Sequence, residues 1–155
     1  MPVIAAGTPA PEFRLEAGDG SDFTHEHLKG DTTVLVFYPS AFSGVCTDQF
    51  QIYQEVLDDI VAAGARIFGV STDRHYSQTA FRESMGVTIP MLSDFEPKGE
   101  TSRAFGVYFE PAGTATRALV VTDADAVVRW SWEGEHPGIL PGANLIFDGL
   151  GAVGS

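Results

Sequence analysis

A chain of 155 residues with 44% hydrophobic and 11% aromatic side chains is the size of one domain and can bury a real core. Its net charge of −12 leaves no cationic surface for nucleic acid or anionic lipid. No apolar run approaches the roughly 20 residues of a membrane helix, and Met1 to Ala6 lacks the basic flank and length of a signal peptide. A cytoplasmic protein is expected, with neither a membrane nor a nucleic-acid partner.

Taken in chain order, Phe13-Arg14-Leu15 reads as a short strand after an irregular, proline-rich entry, and His25 to Leu28 as one weak element in a glycine-punctuated region. Thr33 to Tyr38 is a continuous β-branched apolar run stopped by Pro39, which suits a strand buried on both faces. Cys46, Phe50, Tyr53, Leu57, Ile60 and Val61 then recur at three- and four-residue spacing, the stripe of an amphipathic helix ended by Gly64. Arg66 to Ser71 is a second buried strand. A helix over about 77–85 stops at Gly86, Met91-Leu92 is a short apolar patch, and Gly99 to Phe105 is a short helix.

Arg117 to Val121, the turn Asp123-Ala-Asp125 and Val127 to Trp132 read as a hairpin, with a closing helix near 140–150. This alternation predicts an α/β, thioredoxin-like fold: one domain over residues 2–155, its mixed central sheet flanked by helices on both faces.

The chain holds one cysteine, which excludes an internal disulfide or an all-cysteine metal site. Three roles remain: a packed core thiol, an intermolecular bridge, or a reactive nucleophile. Cys46 lies where a buried strand passes into a helix. With Ser43 as N-cap, Cys46 is the third helical residue, and its thiol meets unpaired N–H groups and the positive end of the helix dipole, which favour a thiolate. The alternative is that Cys46 simply begins the apolar stripe. Likewise Ser43 can be a plain cap, Pro39 a strand terminator and Arg117 a strand-edge ion pair.

Pro39-x-x-x-Ser43-x-x-Cys46 resembles the active-site pattern of the peroxiredoxins. Gly7, Pro11 and Phe13, the segment Leu92-Ser-Asp-Phe95, and Arg117 at the head of a strand extend the likeness. It is greatest to the one-cysteine, alkyl hydroperoxide reductase E-like branch, around Asp94-Phe95, Gly106-Val107 and Gly113 to Arg117. The resemblance implies that Cys46 attacks the peroxide and becomes a sulfenic acid. Ser43 would bond the peroxide and the sulfur, Arg117 would stabilise the thiolate and the polarised peroxide, and Pro39 would shield the site.

The substrates implied are hydrogen peroxide and organic hydroperoxides, without cofactor or metal. Residue 51, where some relatives carry a resolving cysteine, is Gln51, so the implied reductant is an external low-molecular-weight thiol, a glutaredoxin-like or a thioredoxin-like protein. A homodimer is implied as well. Two positions depart from the common pattern: Ser43 replaces threonine, and Gln49 stands where many members have glutamate, which leaves any arginine-orienting role of that carboxylate open.

Thiolate formation alone does not make a peroxidase. An ordinary cysteine of pKa ~8.5 is about 3% ionised at pH 7. Lowering the pKa by ~2 units raises that fraction roughly 25-fold, and the accompanying loss of nucleophilicity returns about 8-fold. Donors acting on the breaking O–O bond must supply the rest.

Other signals carry less. His25 and His27 flank Glu26 but lack an evident third metal ligand, and His75 and His136 are isolated. Trp130 and Trp132 share one strand face and read as packing residues. No phosphate-binding glycine loop is present. The rival from another class is a thioredoxin-fold sensor or binding protein, in which a partner reads Cys46 oxidation.

Overall fold

In the computed structural model, residues 2–153 are described, and the last two residues of the expected domain, 154 and 155, lie outside the described residues. Seven strands form one mixed sheet: β1 (Arg14–Glu16), β2 (Asp22–Thr24), β3 (Thr32–Phe37), β4 (Ala65–Ser71), β5 (Met91–Ser93), β8 (Ala118–Thr122) and β9 (Val128–Glu133), ordered β2-β1-β5-β4-β3-β8-β9. The strands β3, β4 and β5 run parallel, and the remaining pairings are antiparallel. A separate hairpin joins β6 (Tyr108–Phe109) to β7 (Thr114–Ala115).

The central strand β3 explains the two-sided core. Val34 and Val36 face one apolar cluster and Leu35 and Phe37 the other, as the two-residue period of a strand requires. On the first face lie α1 (Gly44–Glu55), α2 (Leu57–Ala62), α3 (His75–Met85) and α5 (Ala143–Val153). They contribute Phe50, Tyr53, Ile60, Phe81 and Ile146. The second face is covered more thinly, by the 3-10 turn His25–Leu28, by Phe105 at the end of α4 (Glu100–Ala104), and by the N-terminal segment.

Close packing of α1 on the sheet depends on Gly69 in β4: a Cβ there would lie 2.9 Å from the ring of Phe50.

Three features differ from the sequence expectation. The stripe beginning at Cys46 is two helices, broken at Val56 (φ −107°, ψ 11°). Beyond the break Ile60 lies in the core while Val61, placed on the stripe by spacing, is 60% exposed. Strand β2 and the β6–β7 hairpin are additional elements. Trp130 and Trp132 do pack against the first apolar cluster, beneath α5.

Candidate active site

The site is built where β3 runs out. Pro39 ends the strand, residues 40–43 form a loop, and Ser43 enters α1 in an extended conformation (φ −71°, ψ 150°) that frees its side chain to cap the helix. Its Oγ accepts the Cys46 N–H at 3.3 Å. Cys46 is therefore the third residue of α1, as the cap predicts, and its thiol is fully buried.

Two other groups hold the loop. Asp73 Oδ2 accepts the Ala41 N–H at 2.8 Å, and the Phe42 ring rests 5.3 Å from that of Phe81. Phe42 adopts φ 68°, a left-handed conformation that is strained for a bulky side chain.

Arg117 reaches the sulfur from across the sheet. It immediately precedes β8, the antiparallel neighbour of β3, and is only 2% exposed. Its Nη1 donates to Cys46 Sγ at 3.3 Å and to the Gln49 Oε1 carbonyl at 2.6 Å. Its Nε donates to the Pro137 carbonyl at 2.7 Å. Nη2 has no protein acceptor among the described residues.

No carboxylate pairs with this guanidinium among the described residues. A buried cation held only by neutral acceptors is stabilised strongly by any negative charge that forms beside it.

Gln49 resolves the question raised by its replacement of glutamate: the amide oxygen, not a carboxylate, meets the arginine. Gln49 Nε2 in turn donates to the Tyr53 hydroxyl at 3.0 Å, which donates to the Pro141 carbonyl at 2.6 Å. Spacing marks Tyr53 only as a core position. The signal for more was a polar tip one helical turn from a polar residue in an otherwise apolar stripe.

A pocket of about 390 Å³ opens beside the arginine. Pro39 and Arg117 belong to its wall, together with Phe109, Ala112, Thr114 and His136. The structure thus gathers Cys46, Arg117 and Gln49 at bonding distance, puts Ser43 on the amide of Cys46, and sets Pro39 at the pocket's edge.

Three of the four histidines stand apart from this arrangement. The His27 ring stacks on Phe23 and its Nδ1 accepts the Thr24 N–H, while His25 lies 3.2 Å from Glu26 and His75 lies 3.4 Å from Glu16. His136 is exposed at the pocket rim.

Comparison with known proteins shows the family. A family profile described as AhpC/TSA family matches residues 6–131. Alkyl hydroperoxide reductase E of Mycobacterium tuberculosis is 30% identical over 152 residues, covering 97% of this chain and 99% of that protein. Peroxiredoxin tpx1 of Schizosaccharomyces pombe is 34% identical over 136 residues, 81% of this chain and 70% of that one. Among solved structures, Enterococcus faecalis AhpC superposes with a TM-score of 0.86 at 27% identity, covering 95% of this chain and 90% of that one. The chain belongs to the AhpC/TSA family of peroxiredoxins, and its mixed sheet carries their thioredoxin-like fold.

Proposed function

We propose that this protein is a thiol-dependent peroxidase that reduces hydroperoxides with Cys46 as its one redox-active cysteine. The observation that carries this reading is the buried guanidinium of Arg117, 3.3 Å from the sulfur and without a carboxylate partner among the described residues.

In the proposed reaction the Cys46 thiolate attacks one oxygen of the hydroperoxide. An S–O bond forms, the O–O bond breaks, and the departing oxygen takes a proton and leaves as water or an alcohol. Negative charge moves from sulfur to that leaving oxygen. Arg117 Nη1 already lies beside the sulfur, and Nη2 is available to a second oxygen, so one cation follows the charge through the step. The Ser43 hydroxyl is proposed as a further donor, and so is the Cys46 amide, which would share its proton between Ser43 Oγ and the peroxide.

The sequence contains one cysteine, so the sulfenic acid is proposed to condense with an external thiol, releasing water. A second thiol then displaces the first as a disulfide and restores Cys46. Low-molecular-weight thiols and glutaredoxin-like or thioredoxin-like proteins are the candidate reductants.

Pocket shape supports organic as well as inorganic peroxides. Its lining by Pro39, Phe109 and Ala112 gives an alkyl or aryl tail an apolar wall while the peroxide group reaches Arg117. A cytoplasmic homodimer completes the proposal, with the exposed rings of Phe42 and Phe109 as apolar surface near the site. No helix among the described residues is long and apolar enough to cross a membrane.

The test is peroxide consumption by wild type and Cys46→Ser with a panel of thiols. The reading expects multiple turnovers with wild type and none with the variant. A single oxidation that no thiol reverses would favour the sensor reading instead.

A further inference from the structure

We infer that Tyr53 is a positioning residue for Arg117, its hydroxyl fixing which end of the Gln49 amide faces the guanidinium. The inference rests on the peroxidase reading and concerns how the arginine is aimed.

Hydrogen-bond polarity forces the arrangement. The Pro141 carbonyl can only accept, so the 2.6 Å contact requires the Tyr53 O–H to donate to it. The phenol oxygen is then an acceptor for its 3.0 Å contact with Gln49, and only the amide NH2 can donate there. The other end of the amide, its carbonyl oxygen, must face Arg117 Nη1, where it accepts at 2.6 Å.

Rotating the amide by half a turn would set NH2 against guanidinium N–H, donor to donor. It would also draw the tyrosine proton away from Pro141. Gln49 and Tyr53 are fully buried and Arg117 is 2% exposed, so each group depends on its neighbours for satisfaction. Burial also raises the Tyr53 phenol above its ordinary range, which keeps the donated proton in place.

The relay gives the site an oriented acceptor without a second charge. A carboxylate at position 49 has acceptors on both oxygens and needs no orientation, but its negative charge would compete with the sulfur for the same cation. The amide leaves the guanidinium charge to the reacting atoms, on condition that something fixes its direction. Pro137 and Pro141, the two carbonyl anchors, lie in the same segment between β9 and α5.

The experiment measures two second-order rates on the full chain by stopped flow: Cys46 oxidation by hydrogen peroxide and Cys46 alkylation by iodoacetamide. Tyr53→Phe is expected to slow the peroxide reaction on the order of tenfold. Alkylation, which has no O–O bond to polarise, should change by less than about twofold.

In a Gln49→Glu background, adding Tyr53→Phe should change the peroxide rate by less than about twofold, because the acceptor there is symmetric. An unchanged peroxide rate in Tyr53→Phe overturns the inference. So do equal losses in both reactions, or the same tenfold loss in the Gln49→Glu background. If Tyr53→Phe does not fold, Gln49→Met must show the selective loss of peroxide reactivity, and failure to do so has the same force. A wild-type protein inert to peroxide overturns the peroxidase reading itself, an outcome distinct from active wild type with an unaffected variant.

Discussion

Asp73, two residues beyond β4, accepts the amide of Ala41 at 2.8 Å, so the loop that delivers the thiol is anchored to the end of β4 as well as to its own helix. The same carboxylate oxygen accepts the Ser71 hydroxyl at 2.8 Å, and Ser93 Oγ donates to the Asp73 carbonyl at 2.6 Å. The ends of β4 and β5 therefore hold the loop at Ala41.

Removing that anchor should loosen the site before it unfolds the domain. Asp73→Ala leaves the Ala41 N–H unpaired in a partly buried loop, a loss of about 1–3 kcal/mol. Asp73→Asn keeps one acceptor and should recover most of it. Thermal melts measure the loss, and amide exchange at Ala41 should accelerate in the alanine variant. Unchanged exchange there would show that the loop does not depend on Asp73.

The pocket predicts discrimination by size. Ala112 lies on its wall and is exposed, so Ala112→Trp narrows the space without disturbing the core. Reduction of a bulky substrate such as cumene hydroperoxide should slow roughly tenfold, while hydrogen peroxide should be consumed within about twofold of wild type. Equal effects on both substrates would mean that the organic tail binds elsewhere.

Acid stability has a defined sign at the β8–β9 turn. Burial pushes the Asp123 carboxyl up, but the Val127 and Asp125 amides and the Arg129 guanidinium outweigh it and hold the group below its ordinary 3.8. A depressed carboxyl stabilises the fold at pH above that ordinary value, and the contribution is lost as pH falls through the lower, folded value. Asp123→Asn should lower stability near neutrality and flatten the acid limb, measured by urea unfolding between pH 2 and 6. Asp94 acts in the opposite sense. Burial raises its carboxyl, so its contribution is present below the ordinary value and is lost as pH rises through the folded one.

The readable parts of the molecule were those whose signals are local. Val34 to Phe37 announces a central strand because both faces are buried and every position is apolar. Ser43 and Cys46 are legible as cap and third helical residue because the capping bond spans three positions. Strand β2 escaped because Asp22-Phe-Thr24 offers one buried side chain and no period, and its pairing with β1 supplies the ordering. The break at Val56 escaped because apolar spacing continues through it while only the backbone at Val56 leaves the helical conformation.

The arrangement around Arg117 was harder to read for a different reason. Arg117 stands at the head of β8, while its partners Cys46 and Gln49 come from α1 and Pro137 from the segment leading into α5, so they meet only once the sheet has formed. Sequence identifies Gln49 as a departure from a carboxylate. That an amide can serve the arginine follows from Tyr53, a residue whose spacing says only that it faces the core.

Arg117→Ala tests the central claim most directly, by stopped-flow comparison of Cys46 oxidation by hydrogen peroxide with its alkylation by iodoacetamide. A cation about 4 Å from the developing charge is worth up to about 4 kcal/mol before desolvation, on the order of 10²- to 10³-fold in rate. Peroxide reactivity should fall by that factor while alkylation changes only a few-fold. Parallel losses in the two reactions would contradict the account, because Arg117 would then act on the thiol alone and not on the breaking oxygen–oxygen bond.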